Sequence, residues 1–283
     1  MTTSAKASNA TWKPVCVLSI AGSDSGGGAG LQADIKTVSA LGGYAATAVS
    51  AVTVQNTLGV RHLLPVPAGT VRDQVQAVLQ DLKPQAVKIS MLPDPQAAAP
   101  IAELLRRQAH IVIDPVMVAT SGDTLVKEEA MQLIVKELFP LAQIVTPNLE
   151  EVRTLTGIFP VKKQEYERAA KMILDMGPKA VLIKGGHAGS ARRSSDYLLC
   201  ADTHFAPLVV SSPKSDSKNL HGTGCTLSAA IAFFLASGFD TTQSVISAKE
   251  YIYRAIKTGK NMQVGQGKGP VNHFFNPKAL KKQ

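Results

Sequence analysis

The sequence predicts an α/β fold, a mostly parallel sheet with helices packed on both faces. Three observations predict it. Short apolar runs of strand length alternate along the chain with amphipathic stretches of helix length. Hydrophobic residues fill 45% of the 283 positions and charged residues only 18%, which suits strands buried on both faces under alanine-rich helices. Loops bearing glycines or acids follow several strand-like runs, where open α/β sheets hold their ligands.

The elements follow in order. Residues 15–21 are apolar but for Ser19 and read as a buried strand, which ends in the glycine-rich loop 22–28. A helix opens near Ala29. Further strands are predicted at 46–54, 86–89, 110–113, 143–146 and 180–184, and helices at 70–82, 96–108, 127–138, 149–156 and 164–176. The pattern changes after Gly185. Residues 186–221 are rich in Ser, Lys and Arg, and hold two short strand candidates, 196–200 and 204–210. These predict a hairpin and loop lid attached to the sheet. Long helices at 223–237 and 241–258 follow. No repeat or linker divides the chain. The expected organisation is one domain over 14–276, between a disordered leader, 1–13, and a basic tail, 277–283.

Composition excludes several classes. The net charge is +9, but Lys6, Lys13, Lys278, Lys281 and Lys282 put much of it at the ends. Aromatics are 5% and interleave with no basic stripe, which argues against nucleic acid as a partner. The three cysteines, Cys16, Cys200 and Cys225, form no C-x-x-C pair, so no zinc or redox motif is present. Their odd number in a long chain argues against a disulfide framework. No apolar run reaches the roughly 18 residues of a membrane span, and residues 1–13 lack the apolar core of a secretory signal. A cytoplasmic protein without membrane partners is expected.

The first loop reads G-S-D-S-G-G-G-A-G-L-Q-A-D from Gly22 to Asp34. Glycines between a strand and a helix let backbone approach a ligand closely. Gly28 to Ala33 fits the dinucleotide pattern G-x-G-x-x-[GA], yet no Asp or Glu occurs between Asp34 and Asp73 to hold a ribose. The loop also lacks the G-K-[ST] of a Walker A motif. It reads as a substrate-facing loop or as a tight packing turn. Asp34, inside the following helix, is either an acceptor for a substrate group or an ordinary surface acid.

Two predicted strands end in acids. Asp114-Pro115-Val116-Met117 follows one, and Thr146-Pro147-Asn148-Leu149-Glu150-Glu151 follows another. Carboxylates at strand ends suit a metal–phosphate site, because Mg²⁺ takes one or two carboxylates and fills its shell with water and phosphate oxygens. Helix caps look the same in sequence. Lys184 ends a third strand and can contact phosphates; His187, in Lys184-Gly185-Gly186-His187, can equally be a plain loop residue.

The strongest local signal is His221-Gly222-Thr223-Gly224-Cys225-Thr226-Leu227-Ser228. Two glycines stand where a long alanine-rich helix begins. Backbone N–H groups and the positive end of the helix dipole make a ready anion site there. Cys225 falls in the first turn, where a thiol pKa tends to fall; it is either a reactive group or a small packing residue.

Taken together, the segments G-S-D-S-G-G-G-A-G-L-Q-A-D-I-K-T, V-Q-N-T, D-P-V-M-V-A-T-S-G-D, T-P-N-L-E-E, K-G-G-H, H-G-T-G-C-T-L-S-A-A-I-A and G-K-G-P-V-N-H-F resemble ThiD-type hydroxymethylpyrimidine kinases of the ribokinase-like superfamily. The resemblance runs from about Val15 to Phe274. It implies a three-layer α/β/α fold, and phosphorylation of a pyrimidine alcohol and then of its monophosphate with ATP and Mg²⁺. By motif, Asp34 and Gln55 would hold the pyrimidine ring, with Ala29, Met91 and Val116 packed against it. Asp114 and Glu151 would organise Mg²⁺. Asn148, Lys184 and Thr223 would face ATP. Gly222, Thr223, Gly224 and Cys225 would form the anion hole, with Cys225 the candidate base. The family also implies a homodimer. Ser90, Glu150 and Leu220 replace a frequent Gly, Pro and Thr. The first lies at the substrate pocket, so a pyridoxal kinase of the same fold is the alternative reading, with a non-catalytic binding protein behind it.

Overall fold

The computed structural model describes residues 11–117, 125–185, 192–202 and 207–283. Its first strand, β1 (Cys16–Asp24), leads through the glycine loop into α1 (Gly30–Ala40). A long β2 (Tyr44–Asn56) turns back as β3 (Gly59–Pro65). Then come α2 (Ala68–Asp81), β4 (Ala86–Ile89), α3 (Ala98–Leu105), β5 (His110–Ile113) and α4 (Glu128–Glu137). A two-residue β6 (Ile144–Val145) precedes α5 (Leu149–Thr156), α6 (Lys163–Leu174) and β7 (Ala180–Lys184). The chain closes with β8 (Arg193–Cys200), β9 (Leu208–Pro213), α7 (Thr223–Ala236) and α8 (Thr241–Gly259).

These strands form one sheet in the order β3-β2-β1-β4-β5-β6-β7-β8-β9. From β2 to β7 every pairing is parallel, and the β2–β3, β7–β8 and β8–β9 pairings are antiparallel. The strand period of two divides β1 between two cores. Cys16, Leu18 and Ile20 pack with α2 to α6, while Val15 and Val17 pack with residues of α1, α7 and α8. Strands buried on both faces need no polar alternation, which is why they read as plain apolar runs. The expected three-layer α/β/α, mostly parallel fold is the one observed.

Helix α7 has a special place. Ten of its fourteen residues are buried, so it packs all round, against the sheet, α1 and α8. Its burial fixes its first turn at the carboxyl edge of the parallel strands. Gly222, just before it, has φ 79°. A Cβ there would collide with the carbonyl oxygen of Gly28.

Several boundaries differ from expectation. Strand β3 was not anticipated, because as an edge strand it shows no buried alternation. The helix expected over 96–108 starts as a 3₁₀ turn, Pro95–Ala97, and stops at Leu105, before the Arg106-Arg107 pair. The second lid strand, expected over 204–210, is described as Leu208–Pro213 and so runs past its expected end, while 204–206 lie outside the described residues. Segment 277–283 is tied down by its backbone: Lys278 N–H donates to Ala40 O, Lys281 N–H to Gly42 O and Gln283 N–H to Lys13 O. Residues 1–10, His187 and the end of D-P-V-M-V-A-T-S-G-D lie outside the described residues. No helix among the described residues is long and apolar enough to cross a membrane.

Two glycine substitutions test this geometry. Gly222→Ala combines a left-handed backbone with a backbone collision and should cost about 1–3 kcal/mol or more. Gly69, in the first turn of α2, has open space around its Cα, so Gly69→Ala should stabilise by about 0.5–1 kcal/mol. Urea denaturation midpoints moving in opposite directions are the expected result.

Candidate active site

The carboxyl ends of the parallel strands border a cavity of about 1000 Å³. The segments after β1, β4, β5 and β6 and the end of β7 supply its walls, and α7 points its first turn into it. Ala29, Gln55, Met91, Asp114, Val116, Asn148, Glu151, Lys184, Gly222, Thr223, Gly224 and Cys225 all line it. One fold thus gathers residues spread over nearly two hundred positions.

At its centre is the start of α7, which has no side-chain cap and no acid in its first turn. Thr223 N–H donates to Leu220 O at 3.2 Å. The N–H groups of Gly224 and Cys225 have no acceptor among the described residues. Four such donors begin every helix, and uncapped ones facing a cavity attract an anion.

Beside them stands a charge cluster. Asp114, fully buried at the end of β5, accepts from Lys184 Nζ at 2.5 Å, Thr146 Oγ1 at 3.0 Å and Ser228 Oγ at 3.3 Å. Burial alone would raise its pKa, but the Lys184 and Lys88 charges and these hydrogen bonds hold it below the ordinary value. Glu151 Oε2 lies 3.9 Å from the same Lys184 Nζ. A capping box fixes its direction: Asn148 Oδ1 accepts from Glu151 N–H at 2.9 Å, and Asn148 N–H donates to Glu151 Oε2 at 2.6 Å. Burial pushes the Glu151 carboxyl up to about 7; the Asp114 charge adds to this, and Lys184 with the Asn148 and Met117 N–H groups opposes it. Burial disfavours the Lys184 ammonium, yet Asp114 and Glu151 raise its pKa above the ordinary lysine value.

At one end of the cavity, Gln55 Oε1 accepts from Thr53 Oγ1 at 3.1 Å, and its Nε2 is 3.4 Å from His221 Nε2. His221 Nε2 lies 2.9 Å from Asp24 Oδ2. Asp24 also accepts from the N–H groups of Gly26, Gly28 and Ala29. One carboxylate therefore shapes the glycine loop and ties it to the residue before Gly222. Its burial works against ionisation, but His221, Ala29 and Gly26 bring the pKa below the ordinary value. At the other end, Lys249 of α8 pairs with Asp196 of β8 at 2.6 Å.

Two expectations are corrected. Asp34 does not reach the cavity. It is 1% exposed and paired with Lys88, 2.8 Å away and equally buried, because its position in α1 turns inward to the sheet. The Cys225 thiol pKa is not lowered. Burial raises it to about 11; Lys88 opposes, Asp34 and Asp114 add, and the Gly30 N–H opposes. At neutral pH it is a thiol, desolvation having outweighed the helix dipole.

Sequence reasoning gave no role to Lys88 or to the Asp196–Lys249 pair, and none to Asp24 and His221, although both stand in motifs it quoted. Lys88 did leave a signal: a lysine in a four-residue strand buried on both faces demands a buried partner.

Glu151 gives a pH prediction. Its folded pKa, about 7, lies above the ordinary 4.5, so protonation favours the fold. That contribution is fully present below about pH 4.5 and lost as pH rises through about 7. Glu151→Gln stays neutral, so its Tm should gain on the parent across this window, by the equivalent of ~3 kcal/mol at most. Thermal melts over pH check this; a constant difference would remove Glu151 as the cause.

Comparison with known proteins agrees with this architecture. The family model described as phosphomethylpyrimidine kinase matches residues 24–272. A hydroxymethylpyrimidine/phosphomethylpyrimidine kinase of Rhizobium meliloti (strain 1021) is 47% identical over 261 residues, 91% of this chain and 96% of that protein. The crystal structure of a phosphomethylpyrimidine kinase from Clostridium difficile 630 is 40% identical, with TM-score 0.74 over 86% of this chain and 99% of that one. The pyridoxal kinase of Staphylococcus aureus, in complex with AMP-PCP and pyridoxal, is 31% identical with TM-score 0.82 over 94% of each chain. Matched over most of its length in sequence and fold, the chain belongs to the phosphomethylpyrimidine kinase family.

Proposed function

We propose that this chain moves the γ-phosphoryl group of ATP onto the alcohol of 4-amino-5-hydroxymethyl-2-methylpyrimidine, and then onto the phosphate of the monophosphate formed, in thiamine biosynthesis. The observation that carries this is the uncapped first turn of α7, aimed into a cavity beside Lys184, Asp114 and Glu151. The name of the Rhizobium meliloti relative and the family match support the same reaction.

In the transfer, the acceptor oxygen forms a bond to the γ-phosphorus while the bond to the bridging oxygen of ADP breaks. Charge spreads over the equatorial oxygens. The N–H groups of Gly224 and Cys225, with Gly222 and Thr223 shaping the turn, face that charge. They cost no reorganisation, because the buried helix holds them in place. Lys184 supplies a cation to the phosphates, and Asn148 and Thr223 line their approach. The base expected at Cys225 starts as a neutral thiol, so the backbone donors carry more of the catalysis. A loose transition state asks little of a base.

Asp114 and Glu151 fit a magnesium site. Both line the cavity and share one cation. Two carboxylates are what an ion that completes its shell with water and phosphate oxygens asks of the protein. When bound, Mg²⁺ would neutralise charge on the transferred group.

Gln55 has a tethered amide, its Oε1 on Thr53 Oγ1 and its Nε2 3.4 Å from His221 Nε2, and it lines the same cavity as Ala29, Met91 and Val116. It offers donor and acceptor groups to an aminopyrimidine edge. Pyridoxal is the second substrate to test, favoured by the TM-score to the Staphylococcus aureus pyridoxal kinase and by Ser90 in the cavity wall. The proposal includes a homodimer, supported by the exposed Val52, Val54 and Leu64 of the β2–β3 hairpin. It also includes a reducing, cytoplasmic setting, which suits the buried Cys16 thiol.

ATP consumption with each ring substrate decides the assignment. Turnover with the pyrimidine is expected, and none with either ring would overturn it. Gln55→Ala should lower kcat/KM for the pyrimidine by roughly 5- to 150-fold, with little change in ATP affinity. In a Mg²⁺ titration, Glu151→Gln should shift the activity midpoint to higher metal concentration; an identical midpoint would remove Glu151 from the metal site.

A further inference from the structure

Among the described residues, four acids line the cavity: Asp24, Asp114, Glu151 and Asp196. Asp24 holds the glycine loop, and Asp114 and Glu151 suit the metal. Asp196, in β8, has no part in the reading above. It is buried, and both its oxygens are engaged. Oδ2 accepts from Lys249 Nζ of α8 at 2.6 Å, and Oδ1 accepts from the Gly185 N–H at 3.1 Å. Lys249 also donates to Ser194 Oγ at 3.1 Å and lines the same cavity. Such a pair is weak evidence for stability, since packed apolar residues often serve as well. Its contacts suggest another use. Lys184, the residue before Gly185, is the register partner of Asp196 in the β7–β8 pairing. The Lys184 N–H donates to Pro147 O, after β6, at 2.8 Å. The end of β7 is thus tethered toward β6 through Lys184 and toward β8 through Gly185. From that point the Lys184 ammonium reaches Asp114 at 2.5 Å and Glu151 at 3.9 Å.

We propose that Asp196 is a positioning residue that fixes Lys184 through the Gly185 N–H, and that Lys249 offsets the Asp196 charge so that the cavity wall accepts a nucleotide's phosphates. Strand β7 ends at Lys184, and the residues of β8 before Asp196 pair only with β9. The Gly185 N–H therefore has no ladder partner, and the Asp196 carboxylate supplies one. A bond to an ionised acceptor is stronger than one to a neutral carbonyl, so an acid makes a firm tether. It also puts a negative charge in the wall of a cavity that is to hold a polyanion. In a site shielded from water that repulsion is large. Lys249, on the other carboxylate oxygen, removes it. The pair gives the wall a charged tether with no net charge. Its consequence for phosphoryl transfer rests on the kinase reading.

Two measurements test the two parts. Amide hydrogen exchange at Gly185, read by NMR, follows the tether without any ligand. Asp196→Ala removes the acceptor and should quicken exchange roughly 2- to 10-fold, the loss of one hydrogen bond. Asp196→Asn keeps a carbonyl oxygen there and should retain most of the protection. The kcat values should follow the same order, near the parent for Asp196→Asn and up to roughly 100-fold lower for Asp196→Ala, the scale of a small misplacement. Equal exchange in the two variants, or equal kcat, would overturn the tether. Calorimetric titration with ATP and Mg²⁺ reads the charge offset. Lys249→Met strands the acid and should weaken binding about tenfold or more. The double variant Lys249→Met with Asp196→Asn strands no charge and should bind close to the parent. A double variant as weak as Lys249→Met would overturn the offset. Lys249→Met alone leaves a lone buried acid and can unfold; the double variant then decides, and tenfold weaker binding than the parent would overturn the offset. A parent that binds no ATP would overturn the kinase reading and the offset with it, whereas the exchange result at Gly185 is independent of both.

Discussion

The site depends on the close approach of two backbone loops, the one after β1 and the one before α7. Gly222 and Gly28 meet where a side chain on either would collide with the other loop. The Asp24–His221 pair locks the same junction, at 2.9 Å, from residues 197 positions apart. With the loops pressed together, the uncapped turn of α7 faces the cavity rather than solvent. Unsatisfied N–H groups are costly when buried against protein, and useful when a ligand supplies the acceptor. The helix can hold its start there because its remaining surface is buried, so packing rather than capping keeps it in place.

Around that turn the charges are arranged in alternation. Lys184 lies between Asp114 and Glu151, and Lys88 pairs with Asp34. Every buried acid has a cation in reach, so no charge is stranded. The two lysines still differ in access. Lys184 lines the cavity and can meet a phosphate, whereas Lys88 is fully buried and lies outside the cavity wall. Glu151 shows how local and distant constraints combine, since its capping box is local while its raised pKa comes from burial and Asp114.

The sequence by itself determined the layered α/β architecture, because strands buried on both faces are largely apolar runs and the helices between them amphipathic. It also determined which loops matter. Glycine at 22, 28 and 222, acids at 114 and 151 and Lys184 are chemical choices visible without coordinates, and they do line one cavity. Strand β3 was hidden because an exposed edge strand has no buried face to impose a pattern. Tertiary structure alone decided where Asp34 points, since its partner Lys88 is 54 positions away and only the β1–β4 register brings Ser19 beside that lysine. It also decided the state of Cys225. A helix start predicts a lowered thiol pKa from local dipoles, but desolvation under α1 and the sheet is a property of the packed molecule, and it is the larger effect.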